Sequence, residues 1–368
     1  MRYNHDNRIV LTLDAGGTNF VFCAMQAEEQ IIEPITIPAH AESLEEVLNK
    51  IVIGFELAKS KLTQAPVAIS FAFPGPADYH NGIIGDLQNL PTFRGGVALG
   101  PMLAEKFGIP TFINNDGDLF VYGEAIAGYL PQINKELEEA GSPKRFKNLF
   151  GITLGTGFGA GLVIDGMLYL GDNGSGASIW ITRNKLYPDS YAEESVSIRA
   201  VRRVYAEYAG ISFEESPEPK VICQIAMGKA EGRVDAAREA WRQLGLAAGE
   251  SVADALNIAD ALVVIGGGLS GAYELFLPAL VGEMNKPLNK LDGEPLCRME
   301  MQAFNLEDAE DKNLFLKGEA RMVHIPGTLR TIAYDPLKRT GVGVSHLGTS
   351  KAVAIGAYTF ALHKLDKR

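Results

Sequence analysis

Three glycine turns and one knot of acid and amide side chains are the parts of this sequence suited to chemistry. Asp14-Ala15-Gly16-Gly17-Thr18-Asn19 sets a carboxylate, a hydroxyl and an amide around two glycines. Without a Cβ in the way, backbone N–H groups can approach an anion, so such a turn can cradle phosphate oxygens through Gly16, Gly17, Thr18 and Asn19. Asp14 can hold a Mg²⁺ beside them, directly or through water. A single turn of this kind is also what an ordinary Asx-capped hairpin looks like. The second, Leu154-Gly155-Thr156-Gly157, stands at the equivalent place in a repeated pattern and favours the phosphate reading. The third, Gly266-Gly267-Gly268-Leu269-Ser270-Gly271, satisfies the spacing of a dinucleotide fingerprint. That fingerprint needs an acid about 20 residues on, after a second parallel strand. The region from Glu283 to Asp292 has acids but no apolar strand. The loop serves equally well to let an adenosine lie against backbone. Asn114-Asn115-Asp116-Gly117-Asp118 follows a short apolar run. Phosphoryl transfer needs a base for the acceptor hydroxyl's proton, and Asp116 is the candidate, with Asn115 beside it to orient the hydroxyl. The same composition also suits a plain turn of Asx residues.

The elements that must position these residues are α/β. Ile9 to Leu13 reads as a buried strand, the glycine turn follows, and Phe20 to Met25 returns. Ser43-Leu44-Glu45-Glu46 has capping-box spacing, and a helix of about five turns is expected to follow it. Val67 to Ala72 is a strand stopped by Phe73-Pro74-Gly75-Pro76. A helix near Pro101 to Phe107 leads to the strand Pro110 to Ile113, and another helix ends near Gly128. Strand, glycine turn and return strand recur at Leu149 to Ile164, with Asp165-Gly166 as a hairpin signal. Helical periodicity covers Ser197 to Ala206 and Val234 to Leu256, and Leu262 to Ile265 is a third buried strand. Leu130 to Lys147 reads as a charged surface insertion. Pro295 to Thr340 reads as irregular and receives no role, and a small-residue helix closes the chain from about Ser350 to Leu362. The duplication implies two α/β lobes: 1–115 completed by about 345–368, and 116–344.

Composition bounds the rest. At 368 residues, 46% hydrophobic and 21% charged, the chain has material for two cores at about 150 residues per domain. A net charge of −11 speaks against a phosphate-tracking basic surface, so no nucleic-acid partner is expected. Cys23, Cys223 and Cys297 are dispersed and one is necessarily unpaired, which fits a reducing, cytoplasmic setting and gives no zinc site. No apolar run reaches the ~18 residues of a membrane span.

Taken in order, the motifs resemble the ROK family of bacterial sugar kinases and sugar-responsive repressors. They are Asp14 to Asn19, Pro74-Gly75-Pro76, Leu87-Gln88-Asn89-Leu90, Asn115-Asp116 with Glu124, Leu154 to Gly161, Gly266 to Gly268 and Gly348 to Ala357. The resemblance implies an actin-like ATPase fold (the duplicated ribonuclease H-like fold), two lobes around a cleft, ATP and Mg²⁺, a small sugar substrate and a homodimer. It also implies Asp116 as catalytic base, and Asn89, Asn115 and Gly75 on the sugar side. Gly16, Gly17, Thr18, Gly155, Thr156 and Gly157 would line the phosphate loops, and Gly266 to Gly268 the adenosine loop. The repressors carry a DNA-binding domain ahead of the first glycine turn, for which a strand starting at Ile9 leaves no room. The chain departs from the pattern after Gly176. Where the family has a Glu and a His that hold the sugar, it has Ser178 and Ile181, and the zinc-binding cysteines are absent. Those replacements imply a weakened grip on glucose-like sugars, or at the extreme a diverged sugar- or nucleotide-binding protein with little kinase activity.

Overall fold

The computed structural model describes residues 3–16, 18–87 and 90–367, so Gly17 and Asn89 lie outside the described residues. The chain divides into two compact units and carries two six-stranded sheets. The first comprises Met1–Gly128, Gly161–Gly176 and Leu347–Arg368. Its central strand β1 (Val10–Ala15) pairs antiparallel with β2 (Asn19–Gln26) and parallel with β5 (Ala68–Ala72). β5 in turn pairs parallel with β8 (Thr111–Asn114). β3 (Glu29–Gln30) and β4 (Ile35–Pro38) both pair with β2. β6 (Ala77–Asp78) and β7 (Ile83–Ile84) form a small separate ribbon.

Both faces of this sheet are covered, which is why its strands read as continuous apolar runs. Successive side chains alternate in direction. Leu11, Leu13, Phe22, Ile69 and Phe71 therefore share a core with α1 (Leu44–Ser60), where Phe22 meets Phe55 edge-on at 5.1 Å. The start of α1 is fixed by Ser43, whose hydroxyl accepts from Glu46 N–H at 3.2 Å. α2 (Leu99–Phe107) joins this side through Leu99 and Leu103. Val10, Met25 and Ala68 face the other way, onto Ile355, Tyr358 and Leu362 of the terminal helix α10 (Thr349–Asp366).

α10 packs directly on α3 (Asp116–Ile126). A Cβ on Gly123 would overlap the carbonyl of Ala352, and one on Gly356 that of Leu119. Small residues let these backbones touch. Gly356→Val is accordingly expected to cost about 1–3 kcal/mol or more by overpacking, read as a lowered Tm. An unchanged Tm would show that the two helices are free to separate.

The second unit comprises Tyr129–Ala160 and Ala177–His346. It opens with α4 (Tyr129–Glu139), then β9 (Leu149–Leu154) and β10 (Phe158–Ile164); from Gly161 the latter counts with the first unit, as does β11 (Met167–Tyr169). The hairpin between β10 and β11 turns at Asp165 and Gly166, both at positive φ (49° and 75°) as the residue pair predicts. α5 (Ile198–Ala209), α6 (Pro219–Ala226) and α7 (Val234–Ala259) lead to β12 (Leu262–Gly266) and α8 (Tyr273–Asn285). A short ribbon of β13 (Leu288–Asn289) and β14 (Pro295–Leu296) precedes β15 (Gln302–Asn305) and α9 (Ala309–Lys317). A second ribbon, β16 (Arg321–His324) with β17 (Thr331–Tyr334), precedes β18 (Arg339–Val344). The order β11-β10-β9-β12-β18-β15 repeats β3-β2-β1-β5-β8 with one strand added at the far edge. The duplication seen in the sequence is a duplication of sheets.

Three expectations change. Leu130 to Lys147 is no surface insertion: α4 buries Leu130, Ile133 and Leu137, and Phe146 stacks on Phe315 at 5.8 Å. The stretch from Pro295 to Thr340 holds β15, α9 and the start of β18, and every residue of β18 is buried. β18 escaped notice because it opens with two buried polar residues. Arg339 is paired with Asp335 at 2.6 Å, and Thr340 donates to the Ala261 carbonyl at 2.7 Å. Finally, α3 stays with the first unit instead of opening the second, because its partner is α10. Among the described residues no helix is long and apolar enough to cross a membrane.

Candidate functional site

Register decides what stands together in the first unit. Asp14 is level with Ala72 on β5, and Ala72 is level with Asn114 on β8. The carboxyl ends of three parallel strands therefore release Asp14, the Phe73-Pro74-Gly75 loop and Asn115-Asp116 at one edge of the sheet. Ligands gather at this end of parallel strands in α/β folds. Asp14, Gly16, Thr18 and Asn19 are exposed there. A Cβ on Gly16 would lie 2.9 Å from the Asn19 carbonyl oxygen, so only glycine leaves this turn relaxed.

Asn115 is the N-cap of α3, and its Oδ1 accepts from Gly117 N–H at 2.8 Å. Asp116 Oδ1 accepts from the same N–H at 2.9 Å. Part of Asp116 is open to solvent. The protein crowded around its carboxyl nonetheless raises its pKa, against the hydrogen bond from Gly117 and with Asp14 adding to the rise. A carboxylate with raised proton affinity at a helix start is a usable base.

Sequence reading missed two residues here. Tyr79 donates its hydroxyl to the Phe73 carbonyl at 2.9 Å and also bonds the Asn115 side chain, tying the Gly75 loop to the start of α3. Burial pushes its hydroxyl up to about 12. Asp118 is only 6% exposed. Burial first, and then the charge of Asp116, lift it to about 8. Neither carries a sequence signal, since a lone Tyr and an Asx-rich turn are common in loops.

In the second unit the two remaining glycine turns meet. Leu269 N–H donates to the Leu154 carbonyl at 3.0 Å, and Gly267 (φ 88°) presses on the backbone of Leu154 where no Cβ would fit. Gly155-Thr156-Gly157 and Gly266-Gly267-Gly268 thus form one surface. A Cβ on Gly155 or on Gly268 would meet nothing within 4 Å, so the space over both turns is open. Glu193 Oε2 accepts from Phe158 N–H at 3.0 Å beside Gly157, and Arg199 bonds Glu194 at 2.5 Å. These charges, unmarked by any periodicity, brace the turn.

Ser178 is exposed, and Trp180 and Ile181 follow it in a single 3-10 turn, Ile179–Ile181. Ile181 is 60% exposed, and Trp180 meets Tyr191 edge-on at 6.0 Å. Ile181 thus adds an apolar surface without a hydrogen-bonding group.

The residues present fit a nucleotide and Mg²⁺. In the second unit the open glycine turns leave room for phosphate oxygens, and in the first unit, taken by itself, Asp14 is an exposed hard-oxygen ligand of the kind Mg²⁺ takes singly, along with phosphate and water. Among the described residues no three of His, Cys, Asp and Glu converge to hold a metal alone.

Comparison with known proteins agrees with this layout. The model of the ROK family matches residues 10–310. The chain is 54% identical to the crystal structure of a glucokinase from Parabacteroides distasonis, covering 99% of both chains with a TM-score of 0.90. It is 27% identical to a glucokinase of Thermotoga maritima over 74% of this chain and 85% of that one. It is 27% identical to an N-acetyl-D-glucosamine kinase of Vibrio parahaemolyticus over 71% of this chain and 84% of that one. With its duplicated sheets, paired glycine turns and matched length, the chain belongs to the ROK family and has the family's actin-like ATPase fold.

Proposed function

We propose that this sugar kinase transfers the γ-phosphoryl group of ATP to a hydroxyl of a hexose, with Asp116 as the general base. The observation that carries the reading is the register that sets Asp116, Asp14 and the Gly75 loop abreast at the carboxyl ends of β8, β1 and β5. Asp116 would take the acceptor proton as the hydroxyl attacks in line. Asn115 and Gly75, with Asn89 and Ser178, would line the sugar side. Backbone N–H groups of Gly16, Gly17, Thr18, Asn19, Gly155, Thr156 and Gly157 would hold phosphate oxygens, and Gly266 to Gly268 the adenosine. When bound at Asp14, Mg²⁺ neutralises phosphate charge.

Substrate choice is drawn two ways. The 54%-identical glucokinase supports glucose as acceptor. Ser178 and Ile181 argue for a loose grip, because a sugar hydroxyl buried without a partner costs about 1–3 kcal/mol. We therefore propose that glucose, mannose and N-acetylated hexosamines are poor substrates, and that a sugar less polar toward Ile181 is better. The test is coupled ADP release across aldoses, ketoses, deoxy-sugars and amino sugars. ADP release with none of them would favour the binding-protein reading. A glucose kcat/KM near about 10⁵ M⁻¹s⁻¹, an ordinary enzyme value, would overturn the loose-grip argument alone. A homodimer and a cytoplasmic location complete the proposal, and sedimentation and cell fractionation check them.

A further inference from the structure

The first turn of α3 carries two acids, and the mechanism above uses one. Asp118 lies two residues after Asp116 and is buried, and among the described residues Asp116 is the one charge that acts on it. Its Oδ1 has no hydrogen-bond partner among the described residues. An ionised carboxylate asks for several donors when buried, whereas a neutral acid asks for fewer.

Among the described residues no cationic side chain acts on Asp118. On the β10 side Gly161 packs on the backbone of α3, where a Cβ would come within 2.9 Å of Asp118 Cα. On the α10 side, contact with α3 runs through Gly123, Ala352, Leu119 and Gly356. The titratable groups near it are Asp116 and the Tyr79 hydroxyl, with Asp14 acting in turn on Asp116. Every one of them is acidic. Two carboxyls in one helical turn with no cationic side chain between them do not both ionise readily, and the pair titrates as a unit.

Resting on the reading of Asp116 as base, we propose that Asp118 is a positioning residue that keeps the proton of the Asp116–Asp118 pair, so that a single negative charge, on Asp116, faces the acceptor hydroxyl. The exposed member is the one solvent can hold ionised, and the buried member is the one that stays neutral. Loss of the Asp118 proton puts a second anion where a negatively charged phosphoryl group must arrive, and like charges brought together oppose binding and transfer. Turnover should therefore fall as pH rises through the ionisation of Asp118, near 8.

The experiment is the pH profile of kcat/KM, with the best sugar of the panel, for the wild-type protein and for Asp118→Asn. In the wild type the expected alkaline limb falls about tenfold between pH 7 and pH 9, as one ionisation requires. In Asp118→Asn that limb is gone, so the variant-to-wild-type ratio rises about tenfold over the same span. A limb that persists in the variant, or a flat wild-type profile, overturns the proposal. If Asp118→Asn does not fold, ¹³C carboxyl titration of the wild type and of Asp116→Asn decides. A carboxyl that titrates near pH 8 in the wild type, and at least one unit lower once Asp116 is neutral, supports the proposal; its absence, or an unmoved midpoint, overturns it. Retained turnover in Asp116→Asn is a separate result, which removes the base assignment whatever the carboxyl titration shows.

Discussion

Asp116→Asn is expected to lower kcat by about 10²–10⁴-fold, the usual contribution of a general base. The amide matches the carboxylate in shape and can still accept from Gly117 N–H, the bond that Asp116 Oδ1 accepts at 2.9 Å. It cannot take the acceptor proton. Nucleotide affinity should stay within a few-fold, because the groups proposed for phosphate are backbone N–H donors of glycine turns. Steady-state kinetics with calorimetric titration of ATP separate the two quantities. A loss of kcat under about tenfold, with the best sugar, removes Asp116 from the role of base.

The second expected result concerns stability. Asp118 has its folded-state pKa raised from 3.8 to about 8, chiefly by burial. In the unfolded chain the same group gives up its proton near its ordinary value. From about pH 4 upward the unfolded state is therefore increasingly favoured by ionisation that the folded state resists, and stability falls until about pH 8. One unit corresponds to about 1.4 kcal/mol, so the span amounts to several kcal/mol at most. Asp118→Asn lacks this ionisation and should be more stable than the wild type at pH 8. The margin should shrink toward nothing near pH 4. Carboxyls such as Asp6 and Asp335 are held below their ordinary range by Arg8 and Arg339, and contribute the opposite slope at acid pH. Chemical denaturation at pH 5 and pH 8 checks the sign. A variant that gains nothing between the two would show that Asp118 is ionised in the folded protein at neutral pH.

Much of the fold was legible because its signals are local. Buried parallel strands show as unbroken apolar runs, and the runs at Val10 and Leu149 became β1 and β9 with their glycine turns at the expected ends. Ser43 and Glu46 marked the start of α1, and Asp165-Gly166 marked a hairpin. α4 and β18 were not legible. α4 mixes charge with a narrow apolar stripe, and β18 buries an arginine whose partner, Asp335, sits in a turn of no pattern.

The candidate site divides along the same line. Sequence by itself determined which side chains are equipped for chemistry: glycines that let backbone approach an anion, carboxylates able to hold a proton or a divalent cation, and an isoleucine at 181 that offers no hydrogen bond. Those are properties of side chains and survive without a fold. Tertiary structure alone decided which of them meet. Asp14, the Gly75 loop and Asp116 come abreast only through the register of three parallel strands, and the turns at 155–157 and 266–268 touch only because Gly267 leaves room for Leu154. Proton affinity was decided there too. Asp116 and Asp118 are the same residue type two positions apart, and the difference between an acid open to water and one buried is set by packing between segments far apart in the chain.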